Sequence, residues 1–155
     1  MTNSKGLIGK ETTLGDAAVD GLLAGGGAGV LMAIYLALMG LTWGNRIGAT
    51  LGLFDPGTAR APAVGLLAHL AVAAVYGALF GAGWRLPARL WPRFPLWLAG
   101  LGYGLALWGL AAALFVPGAA SALAVIPPVH FAIAHGLYGL ALGIGLARRR
   151  RNADR

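Results

Sequence analysis

Cysteine is absent from this chain of 155 residues, and charged side chains make up only 11% of it. The lack of cysteine excludes disulfide scaffolds, thiol catalysis and iron–sulfur or zinc–thiolate sites. A soluble domain carries about 25% charged residues. With 58% hydrophobic residues and 26 glycines, the composition predicts a protein whose surface faces lipid.

Uncharged stretches long enough to cross a bilayer occur four times. A helix needs about 20 apolar residues to span a hydrocarbon core of about 30 Å. Prolines divide the longest uncharged stretch into two helices. We therefore predict an all-α integral membrane four-helix bundle. Its spans lie between Asp20 and Arg46, between Arg60 and Arg85, and near 95–116 and 128–147.

The basic residues are distributed unevenly between the two sides of this bundle. Ten of the 12 Lys and Arg residues fall on the side of the N- and C-terminal segments. Cytoplasmic loops carry such an excess, so both termini are expected in the cytoplasm. The predicted segments are an N-terminal segment 1–16, a hairpin 17–85 with an outer interfacial loop 41–60, a basic link 86–94, a second hairpin 95–147 and a basic tail 148–155.

Two basic or amphipathic features flank the spans. In the outer loop, Ile47, Leu51 and Phe54 recur at i, i+4 and i+7, which predicts a short helix lying on the membrane surface; a docking surface for a partner is the alternative.

After the last span come Arg148, Arg149, Arg150 and Arg151. We interpret this run as a topology anchor that also contacts anionic lipid headgroups. Nucleic-acid binding is not expected despite the net charge of +7.

The chain contains an internal repeat. The pattern Y-G-x-x-x-G-x-G begins at Tyr76 and again at Tyr138, an offset of 62. The pattern A-G-x-G-x-G begins at Ala24 and again at Ala99, an offset of 75. We therefore predict two tandem helical hairpins inserted the same way up, a parallel repeat with its pseudo-twofold axis along the membrane normal.

Glycines at helical spacing occur in every predicted span. In lipid, helices associate through van der Waals contact across faces of small residues, so these glycines predict close helix packing. They serve either packing within the bundle or contact with helices of another protein. The residues are Gly21, Gly25, Gly29, Gly77, Gly81, Gly100, Gly104, Gly139 and Gly143.

No Asp, Glu, Lys, Arg, Asn, Gln, Ser or Thr lies in the middle of a predicted span. Ion-coupled transporters hold ionisable groups at membrane depth, so a transporter or channel is disfavoured. Sequence signatures of hydrolases, metalloproteases and phosphate-binding loops are also missing. We expect a protein that is not an enzyme.

His69 and His135 are the candidate binding residues. Histidines on facing membrane helices ligate haem b or chlorophyll-type pigments, and quinone contact is also conceivable. The alternative is a histidine hydrogen-bonded to a tyrosine, a backbone carbonyl or a neighbouring subunit. Because glycine faces draw helices too close for a porphyrin, we expect no haem or pigment, while a bound lipid or quinone is compatible.

Residues 21–33 (G-L-L-A-G-G-G-A-G-V-L-M-A), followed by His69 and the two Y-G-x-x-x-G-x-G helices, resemble small four-helix bacterial membrane proteins of unknown function. Some proteins of this kind accompany respiratory or photosynthetic electron-transfer assemblies, including alternative complex III. The resemblance implies a non-catalytic accessory subunit of the bacterial cytoplasmic (inner) membrane, with other integral membrane subunits and lipids as partners. The alternatives are a haem-, pigment- or quinone-binding protein that uses His69 and His135, and a small oligomeric transporter or channel.

Overall fold

The computed structural model describes residues 13–114 and 122–153, and all regular structure within these ranges is helical. The prediction of an all-α fold is therefore confirmed for this part of the chain. The elements are α1 (Leu14–Thr42), α2 (Ile47–Gly52), α3 (Pro62–Gly83), α4 (Arg85–Leu90), α5 (Leu96–Leu114), a 3₁₀ turn (Ala122–Val125) and α6 (Pro128–Ala153).

The described residues form four helical segments that are long and apolar enough to cross a membrane, one at each predicted span, and this fits a multi-pass membrane protein. The segments are Leu14–Thr42, Pro62–Leu90, Leu96–Leu114 and Pro128–Asn152.

The helices differ from the predicted spans mainly at their ends. α1 begins at Leu14, where Thr13 and Asp16 form a capping box that satisfies two backbone N–H groups. α6 continues through the arginine run to Ala153, because arginine is a good helix former. Residues 1–12, 115–121 and 154–155, which include the predicted end of the third span near residue 116, lie outside the described residues.

The long helices pack as two hairpins, and contact between one helix of each hairpin joins them. α1 packs against α3, α5 packs against α6, and α1 also packs against α6. The side chains of Leu36 in α1 and of Leu142 and Leu146 in α6 are fully buried at that joint. α5 is peripheral, since Gly100 and Gly104 are its buried residues.

The glycines predicted to pack helices do so inside each hairpin. A methyl group added at Gly25 would lie 2.7 Å from the Cα atom of Gly77. One added at Gly104 would lie 2.9 Å from the Cα atom of Gly139. Such distances leave no room for a side chain, so the backbones of α1 and α3, and those of α5 and α6, are in direct contact.

The two hairpins repeat this contact pattern. The number of residues that separates equivalent glycines agrees with the sequence pattern for α3 and α6, but not for α1 and α5. Gly21 faces the carbonyl of Gly77 and the Cα atom of Gly81, while Gly100 faces the carbonyl of Gly139 and the Cα atom of Gly143. The offset of 62 between α3 and α6 agrees with the sequence pattern. The offset between α1 and α5 is 79, from Gly21 to Gly100, so the predicted 75 is wrong by one helical turn. Glycines at four-residue intervals in α1 allow both alignments, and the contacts select one.

The two ends of the bundle differ in character. At the basic end, where α3 and α6 finish, the Nε atom of Arg149 lies 2.7 Å from Oδ1 of Asp20 and ties α6 to α1. Arg148 and Arg151 are exposed there and Arg150 is half-buried. The opposite end, the loop end, carries α2, the segment 53–61 and the 3₁₀ turn.

Candidate ligand-binding cavity

A cavity of about 720 Å³ lies between the two hairpins toward the loop end. Its size falls in the range of sites for small molecules, about 300–1,000 Å³. Side chains from all four long helices line it, and residues of the segment 53–60 and of the 3₁₀ turn line it at the loop end. Among the lining residues are Met32, His69, Tyr76, Ala111, His135 and Tyr138.

Aromatic side chains, and not glycines, connect α3 and the residue after it with α5 and the residues before it. The ring of Phe80 lies 5.0 Å from that of Tyr103, and the ring of Trp84 lies 5.9 Å from that of Phe94. The hydroxyl of Tyr103 donates a hydrogen bond of 3.0 Å to the carbonyl of Tyr76. These contacts hold α3 and α5 apart toward the basic end, and space remains between them toward the loop end.

His69 is fixed by contacts on two sides. Its Nε2 atom lies 3.0 Å from the carbonyl oxygen of Gly29 in α1, and its ring lies 4.7 Å from that of Phe54. A carbonyl oxygen has no proton to give, so Nε2 carries the hydrogen and donates. The Nδ1 atom of the neutral ring is then a hydrogen-bond acceptor, and it has no partner among the described residues.

His135 has the complementary arrangement. Its Nδ1 atom donates to the carbonyl oxygen of Phe131 one turn earlier in α6, at 2.9 Å. Its ring meets the Phe131 ring edge-on at 4.5 Å. Nε2 of the neutral ring is therefore an acceptor without a partner in the part of the chain that the structure describes.

Two tyrosines of the repeat motif also reach the cavity. Tyr138 is 3% exposed, and its hydroxyl donates a hydrogen bond of 2.7 Å to the carbonyl of Ala73, which links the two hairpins. The hydroxyl of Tyr76, its counterpart in α3, makes no hydrogen bond with any described residue. Tyr76 is half-buried and lines the cavity, so its hydroxyl is available to a ligand there.

Asp55 fixes the conformation of the segment 53–61 through hydrogen bonds to its backbone. Its carboxylate accepts hydrogen bonds from the backbone N–H groups of Gly57 at 2.9 Å and Ala61 at 2.7 Å. Arg60 adopts a left-handed backbone conformation with φ of 49°, which costs a residue other than glycine about 1 kcal/mol. The two hydrogen bonds on either side of Arg60 offset that strain and keep the segment over the cavity.

The apolar residues Ile47, Leu51 and Phe54 of the outer loop, which were predicted to share one face of a helix, do not lie on a common surface. α2 does form, but it ends at Gly52. Ile47 is 48% exposed, whereas Phe54 packs on His69 and lines the cavity. The helix is seated instead by Thr50, which contacts Gly40 of α1. The prediction that Phe54 belongs to the surface helix is therefore wrong, because α2 ends at Gly52, two residues before it.

The structure brings His69 and His135 to the same cavity. From the sequence, a haem or pigment between them was disfavoured on the assumption that a glycine face joins α3 directly to α6. The glycine faces join α1 to α3 and α5 to α6, so α3 and α6 are free to hold a ligand between them. The third histidine, His130, lies apart from the cavity, with its Nδ1 atom 2.9 Å from the hydroxyl of Tyr35 in α1. Within the described residues, no group of three His, Cys, Asp or Glu side chains has the geometry of a metal site.

Comparison of the chain with models of protein families, with characterised proteins and with solved structures gave no match.

Proposed function

We propose that this chain is a membrane protein that binds a lipophilic small molecule in the cavity between its two hairpins. One observation carries the proposal: three polar groups from two helices, on His69, Tyr76 and His135, line a cavity whose walls between the helices are otherwise mostly apolar, with Asp55, Thr58 and Arg60 at its loop end. Ligand sites combine an apolar lining with a few convergent polar groups in this way. A molecule with a polar aromatic head and an apolar body, the class to which quinones belong, fits this lining.

The accessory role inferred from resemblance stays a prediction, and so does the transporter or channel. The packing of the glycines bears on how an accessory subunit would contact its neighbours. The glycines predicted to pack helices meet atoms inside the hairpins, so these glycines do not supply the surface for a neighbouring subunit. An accessory subunit built on this fold would contact its neighbours through its outer faces, where a methyl group added at Gly26, Gly27, Gly102 or Gly109 would meet no described atom within 4 Å.

Extraction of the purified protein tests the proposed function. We expect mass spectrometry of an organic extract to find one lipophilic aromatic compound in near-stoichiometric amount. Ala111→Phe places a ring in the cavity and should deplete the compound, while Ala113→Phe on the exposed side of α5 should retain it. Finding bulk phospholipid alone in all three proteins would contradict the proposal.

We further propose that the protein lies in the bacterial inner membrane with its basic end in the cytoplasm, as the distribution of Lys and Arg favours. Because the chain has no cysteine, a single introduced cysteine reports its own position. In intact cells, a membrane-impermeant maleimide should label Thr58→Cys at the loop end. It should label Asn152→Cys only after the inner membrane is permeabilised. The reverse pattern would overturn the orientation.

A further inference from the structure

The two histidines present acceptors to the cavity, while Tyr76 and, at the loop end, Thr58 and Arg60 are the donors in its lining. His69 and His135 each use their N–H on a backbone carbonyl, that of Gly29 and that of Phe131. The nitrogen left on each ring carries a lone pair and no hydrogen. Both histidines therefore offer acceptors to whatever occupies the cavity.

The opposite tautomers are disfavoured by the same contacts. Moving the hydrogen to the other ring nitrogen would leave a lone pair of His69 facing the carbonyl oxygen of Gly29 at 3.0 Å. The same change in His135 would place a lone pair 2.9 Å from the carbonyl oxygen of Phe131. Two facing lone pairs repel, so the backbone of α1 and α6 fixes which nitrogen is an acceptor.

These acceptors discriminate between the oxidation states of a quinone-like head group. A quinone has two carbonyl oxygens and no donor. It can accept a hydrogen bond from the hydroxyl of Tyr76, but it leaves the free ring nitrogens of His69 and His135 without a partner, and an unpaired buried polar group is costly. A diphenol has two O–H donors. Its oxygens also accept, which gives the hydroxyl of Tyr76 a partner.

We infer that the cavity selects a diphenol of the hydroquinone class with an apolar substituent, in preference to the corresponding quinone. The inference rests on the proposed function and adds the chemical class of the ligand. Leu107, Leu110 and Phe131, which also line the cavity, supply apolar contact for the ring and its substituent.

Three matched probes test the inference: decyl-hydroquinone under anaerobic reducing conditions, decyl-benzoquinone, and the dimethyl ether of decyl-hydroquinone. Binding to the detergent-solubilised protein is followed by quenching of the fluorescence of its five tryptophans. We expect the hydroquinone to bind at least about tenfold more tightly than either of the others, because it alone donates two hydrogen bonds.

His135→Leu removes one acceptor and should weaken binding of the hydroquinone while leaving the affinity for the ether unchanged. His130→Leu is the matched control on the same helix, since His130 bonds to Tyr35 outside the cavity; it should preserve the preference. Thermal unfolding verifies that each variant is folded, and His69→Leu provides a second test of the same kind.

The outcomes separate the two proposals. Equal or tighter binding of the quinone or the ether by the unmodified protein would overturn the selectivity and leave the cavity as a binding site. A tetrapyrrole absorption band in protein from its native membrane, lost in His135→Leu, would show that the lone pairs ligate a metal, and would also overturn the diphenol. Absence of saturable binding by all three probes, together with an extract free of any aromatic compound, would remove the proposed function itself.

Discussion

Replacing Gly77 by alanine should lower the free energy of unfolding by about 3 kcal/mol, the upper part of the range for overpacked sites. The added methyl group would lie 2.6 Å from the Cα atom of Gly25 and 3.0 Å from its N atom. Both are backbone atoms, which no side-chain rotation can move away. The change forces α1 and α3 apart along the contact that builds the first hairpin.

The repeat supplies an internal check. Gly139 occupies the equivalent place in α6, where an added methyl would lie 2.9 Å from the Cα atom of Gly104, so Gly139→Ala should destabilise the protein to a similar extent. Gly27→Ala and Gly102→Ala are the controls, because a methyl at either position meets no described atom within 4 Å. Unfolding in mixed micelles, followed by circular dichroism, measures all four. Equal stability of Gly77→Ala and Gly27→Ala would contradict the packing described.

Replacing Leu142 by alanine should cost about 2 kcal/mol, toward the low end of the range for buried leucines. Its side chain is 0% exposed and lies in the core between α6 and α1. Lipid is as apolar as leucine, so the loss comes from van der Waals contacts across the cavity that is left and not from a hydrophobic driving force.

The matched control for that substitution faces outward. Leu79 of α3 is 58% exposed, and in a bilayer lipid chains fill the space that its truncation leaves. Leu79→Ala should therefore change stability by less than about 0.5 kcal/mol. The same unfolding assay compares the two variants. A cost for Leu79→Ala equal to that for Leu142→Ala would indicate that these residues are not divided between a protein core and a lipid-facing surface.

The sequence predicts the helices well because composition alone determines them. Charged residues such as Asp20 and Arg46 bracket stretches that are long and apolar enough to cross a membrane, and prolines separate the last two. The glycine faces also follow from spacing. Their pairing does not, because glycines at intervals of four residues in α1 fit the same partner in two registers one turn apart.

The cavity was harder to foresee, since it depends on which helices are not in close contact. Nothing local in the sequence says that the glycines near His69 face α1 while those near His135 face α5. The role of Phe54 is similar: its place beside His69 follows from the end of α2 at Gly52 and from the turn held by Asp55. Tyr76 and Tyr138 match in the repeat, yet only Tyr138 finds a carbonyl partner among the described residues.

Photo-crosslinking tests the account most directly. An alkyl hydroquinone that carries a diazirine on its ring is added to the protein in its membrane, irradiated, and located by peptide mass spectrometry. We predict labelling confined to the residues around His69, Tyr76 and His135, and competed away by unlabelled decyl-hydroquinone. Labelling spread over the lipid-facing residues of α3 and α5, unaffected by the competitor, would contradict the claim that the two hairpins enclose a binding site.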